Sequence, residues 1–454
     1  MARAAKRQKE LTPEEKLAQA LVPVENQPYP IPENWCWTTI ETINGFKSST
    51  LDPRKNPDDY YELYSVPSCD NDYPEIIQGS DIKSSKQVVA KDDVLVCKIN
   101  PRINRVWKVD QYTDNPLLAS SEWIVVRNQL LNPDYLKWYF KTPTFREYML
   151  SNVSGVGGSL MRAQPKYVKT YPLPIPPLAE QQRIVDRIES LFAKLDEAKE
   201  KAQFVIDGYE DRRSAILHQA FSGELTKAWR KQHNVLFSQW ENVSLKDCGD
   251  WMGGGTPSMS HPEYWENGDI PWVTSKDMKV DVIDDTLLHV NEKGINNSSA
   301  NYNEKPSVLF VMRSGILRRT LPIAYIKKPF TVNQDLRAVT PSEIDTEYLF
   351  WACRSLEKKM LETCMKSGTT VESINANALM DFEIPVAPQE EQDVIVEAIN
   401  GLLQKENASR LVAQETVKHV EQMKKAIMMR AFCGELGTNY PTDEKAEELL
   451  KKMM

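Results

Sequence analysis

The stretch PIPPLAEQQRIVDRIESLFAKLDEAKEKAQFVIDGYEDRRSAILHQAFSGEL, Pro174 to Leu225, decides the architecture. Shifted by 211 residues, it lies without a gap on PVAPQEEQDVIVEAINGLLQKENASRLVAQETVKHVEQMKKAIMMRAFCGEL, Pro385 to Leu436. Identical pairs include Pro177/Pro388, Glu180/Glu391, Gln181/Gln392, Ile184/Ile395, Ile188/Ile399 and Leu191/Leu402, and the ends AFSGEL and AFCGEL match almost completely. Two copies make a duplicated half-molecule and not a solenoid, which needs at least three stacked repeats.

Each copy reads as one long helix. Pro174, Pro176 and Pro177 bar a helix before Leu178, and proline is tolerated in a first turn, whose amides lack partners anyway. In the first copy, apolar or small residues recur at Ile184, Ile188, Leu191, Leu195, Ala198, Ala202, Val205 and Tyr209. That alternation of four- and three-residue steps is a heptad seam, the signature of a coiled coil. Arg212 breaks the seam, Ile216 resumes it, and Gly223 is a plausible stop. The second copy is apolar at its ends (Ile395, Ile399, Leu402, Val420, Met423, Ile427) and polar in the middle (Glu406, Ser409, Thr416). Two such helices in one chain can pair with each other as an antiparallel rod; about 45 residues at about 1.5 Å each give roughly 65 Å. The expected helix-pair interface is Ile184, Ile188, Leu191, Leu195 and Ile216 on the first helix and Ile395, Ile399, Leu402, Val420, Met423 and Ile427 on the second.

Working outward, the helices separate two globular segments. Residues 33–173 show strand-like runs at 87–90, 94–99 and 121–126 and helix-like runs at 135–140 and 145–149. Residues 239–384 show strand-like runs at 308–312, 323–327 and 336–339 and a helix at 348–355. The segments share a plan: Asn34-Trp35 answers Gln239-Trp240, Tyr135-Leu136 answers Tyr348-Leu349, and Gly158-Ser159 answers Gly368-Thr369. The expected division is thus 1–32 (docking segment), 33–173 (first domain), 174–225 (central helix), 226–238 (polar linker), 239–384 (second domain), 385–436 (C-terminal helix) and 437–454 (tail). The expected fold class is α+β, with two α/β domains separated by an antiparallel coiled-coil pair in a pseudo-twofold duplication. The first segment has a basic tip (Arg3, Lys6, Arg7, Lys9), then a helix capped by Thr12, with Pro13 and Glu15 in capping-box spacing. The tail should hold a short amphipathic helix.

At 454 residues, 41% hydrophobic and 26% charged, the composition is that of a soluble multidomain protein. No run of about 18 apolar residues suggests a membrane span, and the charged start lacks the apolar region of a secretory signal. The 7 cysteines are scattered, without a CxxC pair, and the 5 histidines have no metal-ligand spacing. Free thiols fit the cytoplasm, and neither a disulfide framework nor a zinc site is expected. A net charge of −8 neither advertises nor excludes nucleic acid, since affinity follows where the cations cluster.

The proline–EQ runs PPLAEQQRI (176–184) and APQEEQDVI (387–395), the AFSGEL/AFCGEL endings, KINPR (98–102), GGTPS (254–258) and DIPWVTSKD (269–277) resemble the specificity subunit of type I restriction–modification systems. The resemblance covers nearly the whole chain, departing from the family's usual Leu-Ala at Gln389-Glu390. It implies two target-recognition domains, each reading half of a bipartite, asymmetric site in double-stranded DNA. Two modification subunits would methylate adenine N6, and restriction subunits would add ATP-driven translocation and cleavage. It also implies a chain that is not itself an enzyme and binds no cofactor, with S-adenosylmethionine, ATP and Mg on the partner subunits.

The residues agree. An adenine methyltransferase needs an NPPF-like loop for the flipped base, and none of Asn56-Pro57, Asn100-Pro101, Asn115-Pro116 or Asn132-Pro133 continues with a second proline and an aromatic. No Walker lysine follows the glycines at 253–255 or 155–158; such glycines serve turns and close backbone approach. DNA reading needs Lys and Arg for phosphates and guanine edges and Asn or Gln for adenine. The candidates are Lys98, Asn100, Arg102, Arg105, Arg162 and Lys166 in the first domain, with Lys108 near them. In the second they are Lys276, Arg313, Arg318, Arg319, Lys366 and Thr369. Two other readings stay open: a coiled-coil adaptor that binds only proteins, and a single-chain DNA methyltransferase or nuclease.

Overall fold

A computed structural model describes residues 12–155, 161–366 and 371–454. The chain divides into two compact units, residues 1–202 with 415–454, and residues 203–414.

In the first unit, a five-stranded sheet has the order Thr50–Leu51, Lys86–Val88, Leu117–Ala119, Tyr60–Tyr64, Glu75–Gln78. A three-stranded antiparallel sheet has Val94–Cys97 between Val106–Lys108 and Trp123–Val126. Strands Cys36–Thr39 and Pro172–Ile175 pair antiparallel and close the domain, Cys36 opposite Ile175. In the second unit, Gly249–Gly253, Leu336–Pro341, Ser307–Val311 and Ile323–Ile326 form an antiparallel sheet in that order. A second sheet orders His289–Val290, Ile270–Val273, Phe330–Val332 and Tyr302–Asn303. Glu241–Ser244 and Glu383–Val386 close this domain as the equivalent strands close the first. Every strand and helix expected from the pattern is present within a few residues, the helices as Pro133–Phe140, Pro143–Ser151 and Thr346–Ser355. Gly254 and Gly255 do bring backbone close: a Cβ would stand 1.7 Å from the Val332 carbonyl oxygen and 2.1 Å from Ser299 Oγ.

The long helices run antiparallel, which each unit shows on its own. In the first, Lys199 Nζ meets Glu421 Oε1 at 2.6 Å, while Asp196, three residues earlier, meets Lys424, three residues later. In the second, Arg212 Nε meets Glu406 Oε2 at 2.7 Å, and the Arg410 guanidinium lies 4.4 Å from the Tyr209 ring centre. Two of the polar interruptions of the seam, Arg212 and Glu406, are therefore each other's partners.

Three details depart from the expected seam. The first helix is not continuous: Leu178–Asp207 and Tyr209–Phe221 are separate helices. Gly208 stands at the joint, where the Arg212 guanidinium donates to the Val205 carbonyl at 2.8 Å and occupies the space a Cβ would need. The copy at Gln389–Phe432 is a single helix. Met423 is not on the seam but 51% exposed; Lys424 replaces it, its ammonium 4.9 Å from the Phe192 ring centre. An α-helix drifts about 20° per heptad against a strict seven-residue repeat, so the inward face moves on by one residue. Past the Gly208 joint the same happens, and Leu217 is buried while Ile216 is half-buried. Ile184, Ile188, Ile395 and Ile399 are fully buried and Val420 nearly so, whereas Leu191, Leu195, Leu402 and Ile427 are half-buried. The buried ends also belong to the domain cores: Ile184 and Ile188 join Tyr135, Phe145 and Phe432, and Ile395 and Ile399 join Phe221, Tyr348 and Leu349.

The duplicated Glu-Gln pair is a latch in both units. Glu180 accepts from the Trp35 indole at 2.7 Å, and Glu391 from the Trp240 indole at 2.8 Å. Gln181 accepts from the Asn132 amide at 2.9 Å and Gln392 from the Asp345 amide at 3.0 Å. Those two residues are the N-caps of Pro133–Phe140 and Thr346–Ser355. Tyr135 and Tyr348 hydroxyls donate to the Pro174 and Pro385 carbonyls. The segment following each long helix completes the latch. Thr226 and Arg230 reach Glu391, and Thr438 and Asn439 reach Glu180. Residues 226–238, expected as a polar linker, thus carry the helix Lys227–His233 and a buried arginine. The helix Pro13–Ala20 has the expected capping box at Thr12 and Glu15 and packs against Ala446–Lys451, the helix of the tail. The basic tip lies outside the described residues.

The two latches differ in charge. Glu391 has Arg230 as counter-ion, while Glu180 accepts from the neutral groups of Trp35, Thr438 and Asn439. Burial pushes the Glu180 carboxyl above its ordinary value, against the hydrogen bonds and the nearby Arg183 charge that favour its charged form. A carboxyl with a raised folded value contributes stability while protonated, and loses it as pH rises from the unfolded value through the folded one. We expect Glu180→Gln to remove that loss: its stability relative to the parent should rise with pH above the ordinary carboxylate range. Urea midpoints at intervals from pH 4 to 8 check it; a constant difference across that range refutes it.

Candidate nucleic-acid interface

Both domains build one local structure from different residues. In the first, strand Val94–Cys97 runs into a loop turned by Asn100 and Asn104, both left-handed (φ 49° and 53°), a conformation asparagine tolerates. Residues 161–163 lie beside it: the Ala163 amide donates to the Lys98 carbonyl and the Asn100 amide to the Met161 carbonyl, each at 2.8 Å. In the second, strand Ser307–Val311 runs into residues 312–319. There the Ile374 amide donates to the Met312 carbonyl at 2.8 Å and the Ser314 amide to the Glu372 carbonyl at 3.1 Å. The single bridges Ile99–Arg162 and Arg313–Ser373 complete the match. Each edge thus consists of a post-strand loop and a second segment leading into a short helix, Pro165–Val168 or Ala376–Met380.

The edges bring together most of the candidate cations. On the first, Lys98 donates to the Ser121 carbonyl at 2.6 Å, the exposed Arg102 rests a nitrogen 3.5 Å from Met161 Sδ, and Arg162 makes a forked contact with Glu122. Arg105 is turned away onto Asp70, at 2.8 and 2.9 Å, and this holds the Asp70 carboxyl below its usual range. Lys166 lies on the following helix, 4.7 Å from the Tyr167 ring centre. Lys108 is half-buried against Asp134 at the helix Pro133–Phe140 and belongs to the scaffold. On the second edge, Arg313, Arg319 and Lys366 are exposed, and Arg318 donates through Nε to Glu372. Lys276 is exposed in a turn after Ile270–Val273, a strand of the domain's other sheet. Thr369, like the Gly158-Ser159 and Gly368-Thr369 turns, lies outside the described residues.

Asp70, Glu122 and Glu372, the carboxylates that fix three of these arginines, escape a search for cations alone. They lie 35, 40 and 54 residues from the arginines they hold, so proximity in sequence gives no signal for them. Among the described residues no group of three or more His, Cys, Asp or Glu is placed to hold a metal ion, and no helix is long and apolar enough to cross a membrane.

Two domains with matching edges, joined to a duplicated helix pair, define a DNA-specificity architecture, and comparison places the chain within it. The family described as "Type I restriction modification DNA specificity domain" matches residues 40–203 and 238–410, and the chain belongs to that family. It is 37% identical over 193 residues to the type I restriction enzyme EcoR124I/EcoR124II specificity subunit of Escherichia coli, covering 40% of this chain. It is 30% identical over 168 residues to the MjaIX specificity subunit of Methanocaldococcus jannaschii, covering 36% of this chain. The chain spans about half (48%) and 37% of the length of those relatives. At 20% identity the match to the EcoKI specificity subunit of E. coli K12 runs over 89% of this chain and 90% of that one. The crystal structure of the HsdS subunit from Thermoanaerobacter tengcongensis shares the fold, with a TM-score of 0.65 at 21% identity over 90% of this chain and 99% of that one.

Proposed function

We propose that the chain is the sequence-specific DNA-binding subunit of a type I restriction–modification complex. One domain reads each half of a bipartite, asymmetric site. The chain positions two adenine-N6 modification subunits and the restriction subunits, and performs no chemistry itself. S-adenosylmethionine, ATP and Mg belong to those partners, and the complex works in the cytoplasm. The observation that carries the reading is the doubled edge: two domains of unlike sequence present a cation-bearing loop on the same hydrogen-bonded frame. DNA binding draws most of its affinity from phosphate contacts, each contributing about 0.9 to the slope of log K against log salt.

Replacing Arg102 and Arg105 together by alanine should therefore weaken binding and lower that slope by about one to two units. A smaller change, near one, would mean that Arg105 stays on Asp70 in the complex. Titrating a fluorescent duplex over a salt series, with the modification subunits present, measures it. An unchanged slope in a folded variant would place these residues away from DNA.

A further inference from the structure

Superposing the two edges by their hydrogen bonds puts Met161 and Glu372 at the same place, since each carbonyl accepts the amide of the loop residue two past the shared contact. In both domains an arginine of the loop comes down on that residue: Arg102 on the Met161 thioether, Arg318 on the Glu372 carboxylate. The chemistry differs sharply. A thioether is a weak acceptor and leaves Arg102 its full charge and freedom. Glu372 is four-fifths buried, its side chain 21% exposed, while that of Arg318 is 70% exposed. The acid thus sits at the base and the guanidinium stands above it. Leu317, the residue before, is buried in the core at 1% exposure and fixes the root of the side chain.

With Nε engaged on Glu372, the terminal nitrogens of Arg318 meet no acceptor among the described residues and remain as donors. That outer edge matches the O6 and N7 acceptors of guanine, which arginine recognises in bidentate fashion in the major groove. The adjacent carboxylate decides between base and phosphate. Its negative charge offsets the attraction that the guanidinium would exert on a phosphate. Directional donation to a neutral base edge survives, and the pinned fork loses less freedom on binding.

We propose that Arg318 is a base-reading arginine that recognises a guanine in the half-site of the second domain, with Glu372 as its positioning residue. This rests on the DNA-binding reading above. Arg102, without an acid, is by the same argument a phosphate contact.

The test uses the full chain assembled with its modification subunits, in four forms: unaltered, Arg318→Lys, Glu372→Gln and Arg102→Lys. Methylated adenines are mapped by long-read sequencing. Competition binding then compares the mapped site with duplexes altered at each position in turn. Lysine keeps the charge but not the fork, so Arg318→Lys should lose about tenfold or more of the preference at one G·C pair in a single half-site. Its binding to unrelated DNA should stay within about twofold. Glu372→Gln should lose preference at the same pair by about three- to tenfold and hold unrelated DNA as tightly or more tightly, since a negative charge is gone. Arg102→Lys should leave preference unchanged at every position. If Arg318→Lys keeps full preference, or weakens all sequences equally, Arg318 does not read a base. If the unaltered complex shows no preferred site, the DNA-binding reading falls first and this inference with it.

Discussion

Glu391→Ala is expected to destabilise the second unit by about 3–5 kcal/mol, the penalty for stripping one partner from a buried ion pair. Glu391 is fully buried and the Arg230 side chain is 8% exposed. The arginine Nη1 donates to Glu391 Oε1 at 2.6 Å and to Thr226 Oγ1 at 3.0 Å, and its Nη2 donates to the Gly223 carbonyl. Removing the carboxylate leaves a buried guanidinium without a counter-ion. For a unit of this size, about 2–4 °C per kcal/mol puts the fall in Tm on the order of 10 °C. Replacing both Glu391 and Arg230 by apolar residues should recover much of the loss, because a buried pair is often no more stabilising than a packed hydrophobic substitute. Glu180→Gln, at the matching place, should be close to neutral at low pH because its hydrogen-bond partners carry no charge and the carboxyl is then protonated. Calorimetry of the variants decides it; equal shifts for Glu391→Ala and Glu180→Gln would show that the arginine contributes nothing particular.

The second large effect is expected at the ends of the long helices. Gly223 and Gly434 have φ of +78° and +76°, the left-handed conformation in which helices commonly end and which glycine adopts without strain. The Glu435 amide closes the second end by donating to the Arg430 carbonyl at 2.8 Å. A Cβ at Gly223 would stand 2.4 Å from the Phe237 ring, and one at Gly434 would stand 2.3 Å from the Pro32 ring. Alanine at either place should cost about 1–2 kcal/mol for the backbone and about 1–3 kcal/mol for overpacking. Gly437 is the internal control: its φ is +71° and no heavy atom lies within 4 Å of a built Cβ, so alanine there should cost the backbone part only. Urea midpoints for the three alanine variants separate the contributions. Equal values would mean that the rings of Phe237 and Pro32 move aside freely.

The duplication, the helix pair and the paired domains were legible because they rest on periodicity and on self-similarity, which one sequence carries in full. Ile184, Ile188, Ile395 and Ile399 are buried because spacing alone puts them on one face. Spacing failed where a local event resets the phase. The first helix breaks at Gly208, where the Arg212 side chain takes the Val205 carbonyl that a continuous helix would offer to the Tyr209 amide, and Lys424 displaces Met423 because its ammonium lies over the Phe192 ring and finds Asp196. The Glu-Gln motif announced the duplication but not its purpose, since the indoles it holds lie 145 and 151 residues away in sequence. Arginines were easy to nominate as DNA contacts. Which of them carry a restraining acid depended on Asp70, Glu122 and Glu372 arriving from distant segments.

The first unit is assembled from both ends of the sequence, the second from its middle. Phe432, Ala446 and Leu450 lie fully buried in the same core as Trp35, Tyr135 and Ile184. During synthesis, then, the domain that begins first is finished last: residues 203–414 can fold while the earlier domain still waits for apolar surface that has not left the ribosome. A ribosome stalling after residue 414, or a protease trimming the far end, would expose the hydrophobic interior of the opposite end of the chain.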